Sequence, residues 1–163
     1  MNSGITLRSL AAADLPAVAR LERLCFSQPW TESALQSELE NGCLFWGVVA
    51  DRTARAGIKS APAQVTDTCL AGYIGLKIAA DEGYMGNLAT APDFRRRGIG
   101  SMLVSAVLEY AKKKRLAFVT LEARVSNAPA RALYEKKGFT LMGIRPGFYS
   151  NPGDDAAIYT WKG

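Results

Sequence analysis

Residues 84–101 read YMGNLATAPDFRRRGIGS, and their reading decides the fold. Residues 87–90 close an extended segment, and Ala91, Pro92 and Asp93 turn the chain, since proline disfavours helix at the preceding residue and suits a turn. From Gly98 onward the spacing becomes helical. Ile99, Leu103 and Val107 recur four apart, with Met102, Ala106 and Tyr110 beside them. Arg95, Arg96 and Arg97 stand immediately before that helix. A helix start offers N–H groups without intrahelical acceptors and a positive dipole end, and Gly98 and Gly100 permit close approach to the backbone. Together these features make a seat for a diphosphate. The same residues also read as an ordinary turn with a solvated arginine run, and this stretch alone leaves both readings open.

Two other phosphate-binding patterns are excluded. A nucleotide-binding P-loop needs wider glycine spacing and a following Lys-Ser/Thr pair. A dinucleotide fingerprint needs glycine where this sequence has arginine.

Composition narrows the classes further. A chain of 163 residues is expected to form one domain, residues 1–163, and a mean hydropathy of −0.01 fits a folded globule. No apolar run approaches the roughly 20 residues that span a bilayer, so no membrane association is expected. The start, MNSGITLRSL, lacks the basic region and apolar run of a secretory signal, and a cytoplasmic location is expected. Cys25, Cys43 and Cys69 are isolated, with no C-x-x-C pair, which argues against a disulfide scaffold or thiolate cluster. The chain has no histidine. That removes Ser-His-Asp triads, Cys/His dyads and histidine-bound zinc. A net charge of +5 permits an anionic partner. The cluster Lys112, Lys113, Lys114 and Arg115 has a local reason to be basic near a helix C-terminus. No familiar nucleic-acid-binding module is present, and a phosphate-bearing cofactor explains the arginine cluster equally well, so direct nucleic-acid binding is not expected.

Along the chain, residues 5–8 suit a first strand. Asp14 is placed to cap a helix with Pro16 in its first turn; Leu15, Val18, Leu21 and Cys25 form its buried stripe, and Arg20, Glu22 and Arg23 face outward. Gln28, Pro29 and Trp30 break the pattern, and Thr31 caps a second helix carrying Ala34, Leu35 and Leu39. Residues 44–50 and 69–78 read as strands, with Gly72 and Gly75 as bends or close-contact points. The stretch between them, 51–68, is long for a hairpin connection and reads as a mobile loop or lid. Asp81, Glu82 and Gly83 read as a turn. Residues 116–121 form a buried strand with Glu122 at its polar end. Ser126 and Asn127 offer a cap, with Pro129 in the first turn of a helix carrying Ala130, Leu133 and Tyr134, and Gly138 closes it. Residues 139–143 and 156–161 supply two late strands around a loop near Tyr149 and Asp155. This order predicts an α/β fold, a central mixed β-sheet flanked by helices and ending in a hairpin.

The segment RRRGIG resembles the R/Q-x-x-G-x-G/A signature of the GCN5-related N-acetyltransferases, whose helix entrance holds the pyrophosphate of coenzyme A. Residues 121–139, LEARVSNAPARALYEKKGF, carry the stronger resemblance. With Pro29, Trp30, GNLATAPDFRRRGIG and the late Tyr/Asp-containing loop, they are similar to the bacterial branch of that family which acetylates the N-terminal alanine of ribosomal protein S18. The resemblance covers nearly the whole chain, and the 51–68 insertion is its main departure, one that bears on the peptide entrance. It implies the acyl-CoA N-acyltransferase fold and acetyl-CoA as co-substrate. Asn87, Leu88, Ala89 and Thr90 would then lie beside the thioester and pantetheine arm, Arg95, Arg96, Arg97, Gly98, Ile99, Gly100 and Ser101 would hold the diphosphate, and Asn127 would contact the arm. Glu122 matches the family's base and Tyr134 the acid that protonates the departing thiolate. Taken singly, Glu122 also reads as a surface carboxylate at a strand end and Tyr134 as a core residue.

The chemistry can be stated independently. An attacking amine must be neutral, and an N-terminal amine has a reference pKa of about 7.7–8.0 against about 10.4 for lysine. A carboxylate, acting directly or through water, can take its proton, and a phenol can protonate sulfur. Backbone donors stabilise charge on the thioester oxygen. No metal is required. Trp30, Arg124, Tyr149 and Asp155 are the candidates around the acceptor, with ordinary loop packing as the other reading of all four. The S18 N-terminus is the expected partner of a monomeric enzyme; another protein N-terminus, a lysine or a small amine is the alternative.

Overall fold

The computed structural model describes residues 4–55 and 68–163. Its strands are β1 (Ile5–Ser9), β2 (Leu44–Asp51), β3 (Thr68–Ala79), β4 (Glu82–Thr90), β5 (Phe118–Arg124), β6 (Thr140–Tyr149) and β7 (Asp154–Lys162). Its helices are α1 (Leu15–Cys25), α2 (Glu32–Glu40), α3 (Arg52–Arg55), α4 (Ile99–Lys113) and α5 (Ala128–Lys136). Hydrogen-bonded neighbours in the sheet run β1-β2-β3-β4-β5-β7-β6. β1 is antiparallel to β2, β4 is parallel to β5, and β7 is antiparallel to both β5 and β6. The sheet is mixed and ends in a hairpin, as the order of sequence signals predicts. The chain divides into two compact units, Met1–Gly75 with Asn87–Leu103, and Leu76–Gly86 with Val104–Gly163.

The first unit is built on the apolar stripe of α1. Leu15, Val18, Ala19 and Leu21 are buried with Leu35 of α2, Phe45 of β2 and Tyr73 of β3, each fully buried aliphatic side chain stabilising the fold by roughly 1.5–3 kcal/mol. Cys25 is only partly buried. Glu22 departs from the sequence reading: it does not face outward but is 0% exposed. Asp14 departs as well. Its carboxylate makes no cap bond to α1; it accepts from Ala11 N at 2.8 Å and pairs with the Arg8 guanidinium at 2.8 and 3.0 Å. A 3-10 turn over Ala12–Asp14 precedes α1, and that turn is what Asp14 closes. Thr31 caps α2 as expected, accepting from Ala34 N at 3.2 Å. Gly72 is a close-contact point: a Cβ there would stand 2.8 Å from Ile99 and 2.9 Å from the Ala89 carbonyl. β2 runs through Asp51, whose side chain accepts from Thr53 N at 2.7 Å to start the single turn of α3. The stretch read as a mobile loop is therefore ordered at its beginning, and its remainder, 56–67, lies outside the described residues.

In the second unit the reversal before β4 falls one residue earlier than the sequence implied. Glu82 already pairs with Phe118, and Ala80 takes the left-handed backbone (φ 53°). β5 begins at Phe118 and runs to Arg124, so Glu122 lies within the strand and not at its end. Alternation along β5 buries Val119, Leu121 and Ala123 and leaves Thr120, Glu122 and Arg124 on the other, partly exposed face. Asn127 caps α5 by accepting from Ala130 N at 3.3 Å, and Gly138 (φ 94°) follows the helix end. β6 and β7 extend well into the expected loop. Tyr149 still pairs with Asp154, and register shifts between Leu141 and Gly143 and between Arg145 and Tyr149 absorb the extra residues. The hydroxyl of Tyr159 on β7 accepts from Arg131 Nε at 3.0 Å and donates to Glu135 at 2.8 Å, which fastens α5 over that strand.

Candidate active site

Residues 95–98 form the turn that the glycine pattern predicts. Arg96 (φ 62°) and Gly98 (φ 77°) are both left-handed, and α4 begins at Ile99. Left-handed residues alternating along a turn aim successive N–H groups at one concave side, which suits an anion. Nothing lies within 4 Å of where a Cβ on Gly98 would stand, so the backbone is open to close approach. Two of the three arginines are committed elsewhere. Arg95 Nε donates to the Thr90 carbonyl at 3.3 Å, and Arg97 donates to the Ala54 carbonyl at 2.8 Å while its guanidinium lies 5.1 Å from the Phe94 ring centre. The turn thus offers backbone donors first and side-chain charge second. These residues fit a diphosphate.

Upstream, β4 ends through Asn87, Leu88, Ala89 and Thr90. The Asn87 amide donates to Glu22 at 2.9 Å, and the Thr90 carbonyl accepts from the Cys25 thiol at 3.4 Å. Burial pushes that thiol's pKa up, which leaves it a poor nucleophile. The Trp30 side chain is 40% exposed, on the turn between α1 and α2, while its backbone N–H donates to Glu22 at 3.1 Å.

In the second unit the structure gathers Glu122, Arg124 and Tyr149. It adds Tyr84, which sequence reasoning missed. The Tyr84 hydroxyl donates to Glu122 Oε2. Parallel pairing sets Tyr84 opposite Thr120, two residues before Glu122 and on the same strand face, so the phenol reaches the carboxylate. The pKa of Tyr84 is raised, by burial first and then by the hydrogen bond to Glu122, so it remains a donor through neutral pH. No sequence signal pointed to Tyr84, because the register that delivers it to Glu122 is a long-range pairing.

Arg124 donates to the Pro152 carbonyl at 2.8 Å and the Ser150 carbonyl at 3.3 Å, and its guanidinium stands 4.4 Å from the Tyr149 ring centre. It holds the β6–β7 turn by backbone contacts and a cation–π contact. Asp155 accepts from Gly147 N at 2.8 Å within the same hairpin. Burial, then the charge of Glu122, raises the pKa of Tyr149. Tyr134 is buried on α5 against Phe139 and Tyr159, with ring centres 5.8 and 6.1 Å away. Burial raises its pKa as well, so its phenol keeps its proton at neutral pH. Asn127 spends its side-chain oxygen on the α5 cap. Among the described residues, no group of acidic or cysteine side chains could hold a metal ion, and no helix is long and apolar enough to cross a membrane.

A mixed sheet with flanking helices, a glycine turn opening α4 and a carboxylate on the next strand together define an acyl-CoA N-acyltransferase fold. The chain belongs to the acetyltransferase (GNAT) family, whose sequence profile matches residues 15–139, and it is an acetyltransferase closely related to the bacterial RimI group. It is 30% identical over 154 residues to the [ribosomal protein bS18]-alanine N-acetyltransferase of Escherichia coli K12, covering 94% of this chain and 93% of that one. A Bacillus subtilis protein that carries the same name provisionally is 32% identical over 159 residues, 97% of this chain and 95% of its own. The crystal structure of the E. coli ribosomal-protein-S18-alanine N-acetyltransferase superposes with a TM-score of 0.80 over 97% of this chain and 93% of that one, at 29% identity. Arabidopsis thaliana NAA60 in complex with acetyl-CoA shares the fold with a TM-score of 0.80 at 21% identity, covering 97% of this chain and 99% of that one.

Proposed function

We propose that this chain, acting as a single N-acetyltransferase domain, transfers the acetyl group of acetyl-CoA to the N-terminal alanine amine of ribosomal protein S18. The observation that carries the catalytic part is Glu122, a partly exposed carboxylate on β5, hydrogen-bonded by Tyr84. The near-complete mutual coverage with the bS18-alanine N-acetyltransferases supports the acceptor.

Acetyl-CoA supplies the activated acetyl group. Its diphosphate fits the N–H groups of the turn at Gly98 and the start of α4, and its thioester is assigned to the backbone of Asn87, Leu88, Ala89 and Thr90. Glu122 takes a proton from the acceptor amine, directly or through water, as the amine nitrogen bonds to the thioester carbonyl carbon. When the carbon–sulfur bond breaks, Tyr134 gives its proton to the leaving thiolate. The products are the N-acetyl peptide and the free thiol of coenzyme A, and bulk water resets the two side chains. An α-amine suits this scheme, because its reference pKa of about 7.7–8.0 leaves a useful neutral fraction that lysine lacks. Trp30, Arg124, Tyr149 and Asp155 are assigned to the acceptor side, Arg124 and Asp155 through the hairpin they brace.

The test is mass spectrometry after incubation with acetyl-CoA and an unmodified S18-like peptide, beside matched peptides with a blocked N-terminus or an internal lysine. Acetyl on the free alanine, lost on blocking, is expected. Modification of lysine with the alanine peptide untouched would replace this acceptor.

A further inference from the structure

Glu22 is the one charged side chain among the described buried residues, and the chemistry above does not use it. An ionised carboxylate removed from water is costly unless its oxygens are filled by donors. Here they are. Oε1 accepts from the Tyr73 hydroxyl and from Asn87 Nδ2 at 2.9 Å, and Oε2 accepts from the Trp30 backbone N–H at 3.1 Å. Burial, followed by the charge of Glu22, raises the pKa of Tyr73, which keeps it a donor. The donors are not drawn from one element. Tyr73 lies on β3, Asn87 in the last half of β4, and Trp30 on the turn between α1 and α2.

That choice of donors bears on the reaction. Residues 29–31 have no regular secondary structure, and Trp30 is 40% exposed. A turn of this kind would ordinarily be free to move. An acceptor buried at 0% exposure, bonded to its central N–H, gives it a fixed backbone instead. The same carboxylate grips the strand end assigned to the thioester. One side chain therefore ties the backbone of the Trp30 turn to the Asn87 side chain of β4, a strand the sheet already holds.

We propose that Glu22 is a positioning residue for the acceptor: its carboxylate fixes the turn that carries Trp30 against the Asn87 segment of β4. This rests on the reading above that Trp30 lines the acceptor site. What the turn requires is a hydrogen-bond acceptor at Oε2, not the charge itself. Glutamine can meet it, with its carbonyl oxygen on Trp30 N–H and its amide on Tyr73 and a flipped Asn87. Methionine, of similar length, has no comparable acceptor.

The experiment compares wild type, Glu22→Met and Glu22→Gln. In Glu22→Met, KM for the alanine peptide should rise about tenfold, with kcat within about threefold and acetyl-CoA affinity by calorimetry within about twofold, the pattern of lost ground-state positioning. Glu22→Gln should restore KM. A folded Glu22→Met with wild-type KM, or a Glu22→Gln as impaired as Glu22→Met, would overturn the proposal. If Glu22→Met does not fold, hydrogen exchange on the wild-type protein decides. The Trp30 amide should exchange far more slowly than that of Gln28 in the same turn, and equal rates would overturn it. That readout needs no substrate. A wild-type protein that leaves the alanine peptide untouched would defeat the acceptor assignment while exchange at Trp30 still tests the hold of Glu22 on the turn.

Discussion

Two carboxylates, Glu22 on α1 and Glu122 on β5, each accept a hydrogen bond from a tyrosine on a neighbouring strand, Tyr73 in one case and Tyr84 in the other. Their surroundings differ in one respect that bears on the roles proposed for them. Glu22 is 0% exposed, and both its oxygens are filled by donors of the protein. Glu122 is partly exposed, and Tyr84 is the donor that the described residues bring to it. A carboxylate with donors on both oxygens in a dry site can hold structure but has no ready way to take a proton from an incoming amine. One with remaining acceptor capacity at a strand surface can do so. The same pair of residue types serves architecture in the first unit and is assigned to chemistry in the second.

The largest expected separation between them is in stability. Glu22→Met leaves one buried donor, Tyr73, and two partly buried ones, Asn87 and Trp30, without an acceptor. At roughly 1–3 kcal/mol for the buried one and less for the others, the change should cost about 2–4 kcal/mol in urea unfolding. Glu122→Met should stay within about 1 kcal/mol of wild type. Equal losses would erase the distinction.

Next comes Tyr134, whose phenol is assigned to protonate the thiolate. Tyr134→Phe keeps the packing on Phe139 and Tyr159 and should lower kcat about 100-fold, or about 2.7 kcal/mol, with acetyl-CoA affinity by calorimetry unchanged. Wild-type turnover would return Tyr134 to the core. A smaller effect is expected at Tyr84: loss of one hydrogen bond to the Glu122 carboxylate should reduce kcat/KM about tenfold in Tyr84→Phe, measured under steady state with the peptide.

The smallest concerns Asp14, whose pKa is lowered by its hydrogen bonds to Arg8. A carboxylate with a depressed folded-state pKa contributes stability above its unfolded value, near 3.9, and loses that contribution as pH falls through the folded value. Asp14→Asn should therefore cost at most about 1 kcal/mol at pH 7, since the pair is partly screened, and nothing once the pH is below the folded value. Thermal melts across that range give the answer.

The sequence disclosed most where signals are local. The Thr31 and Asn127 caps, the Gly98 turn and the α4 stripe each depend on neighbours within a few positions, and each stands where the pattern put it. Glu22 was misread although a positional signal existed. It lies four residues after Val18 and seven after Leu15, on the buried face, but its charge argued for solvent. The side chains that overturn that argument, Tyr73 and Asn87, are 51 and 65 positions away. Tyr84 was missed for the same reason, since its partner is 38 positions off across a parallel pairing. The pair proposed for catalysis, Glu122 and Tyr134, came from resemblance. The donors that set one carboxylate apart from the other did not, because they arrive through tertiary structure.

The most direct test puts both carboxylates into one assay. Glu22→Gln and Glu122→Gln remove the same charge with nearly the same shape, and kcat/KM for the alanine peptide is measured for each against wild type at pH 7 and at lower pH, where more of the amine is protonated. The account predicts that Glu22→Gln stays within about threefold, because its acceptor is retained, while Glu122→Gln falls about 100-fold or more and falls furthest at low pH. A collapse of activity in Glu22→Gln with Glu122→Gln near wild type would contradict it.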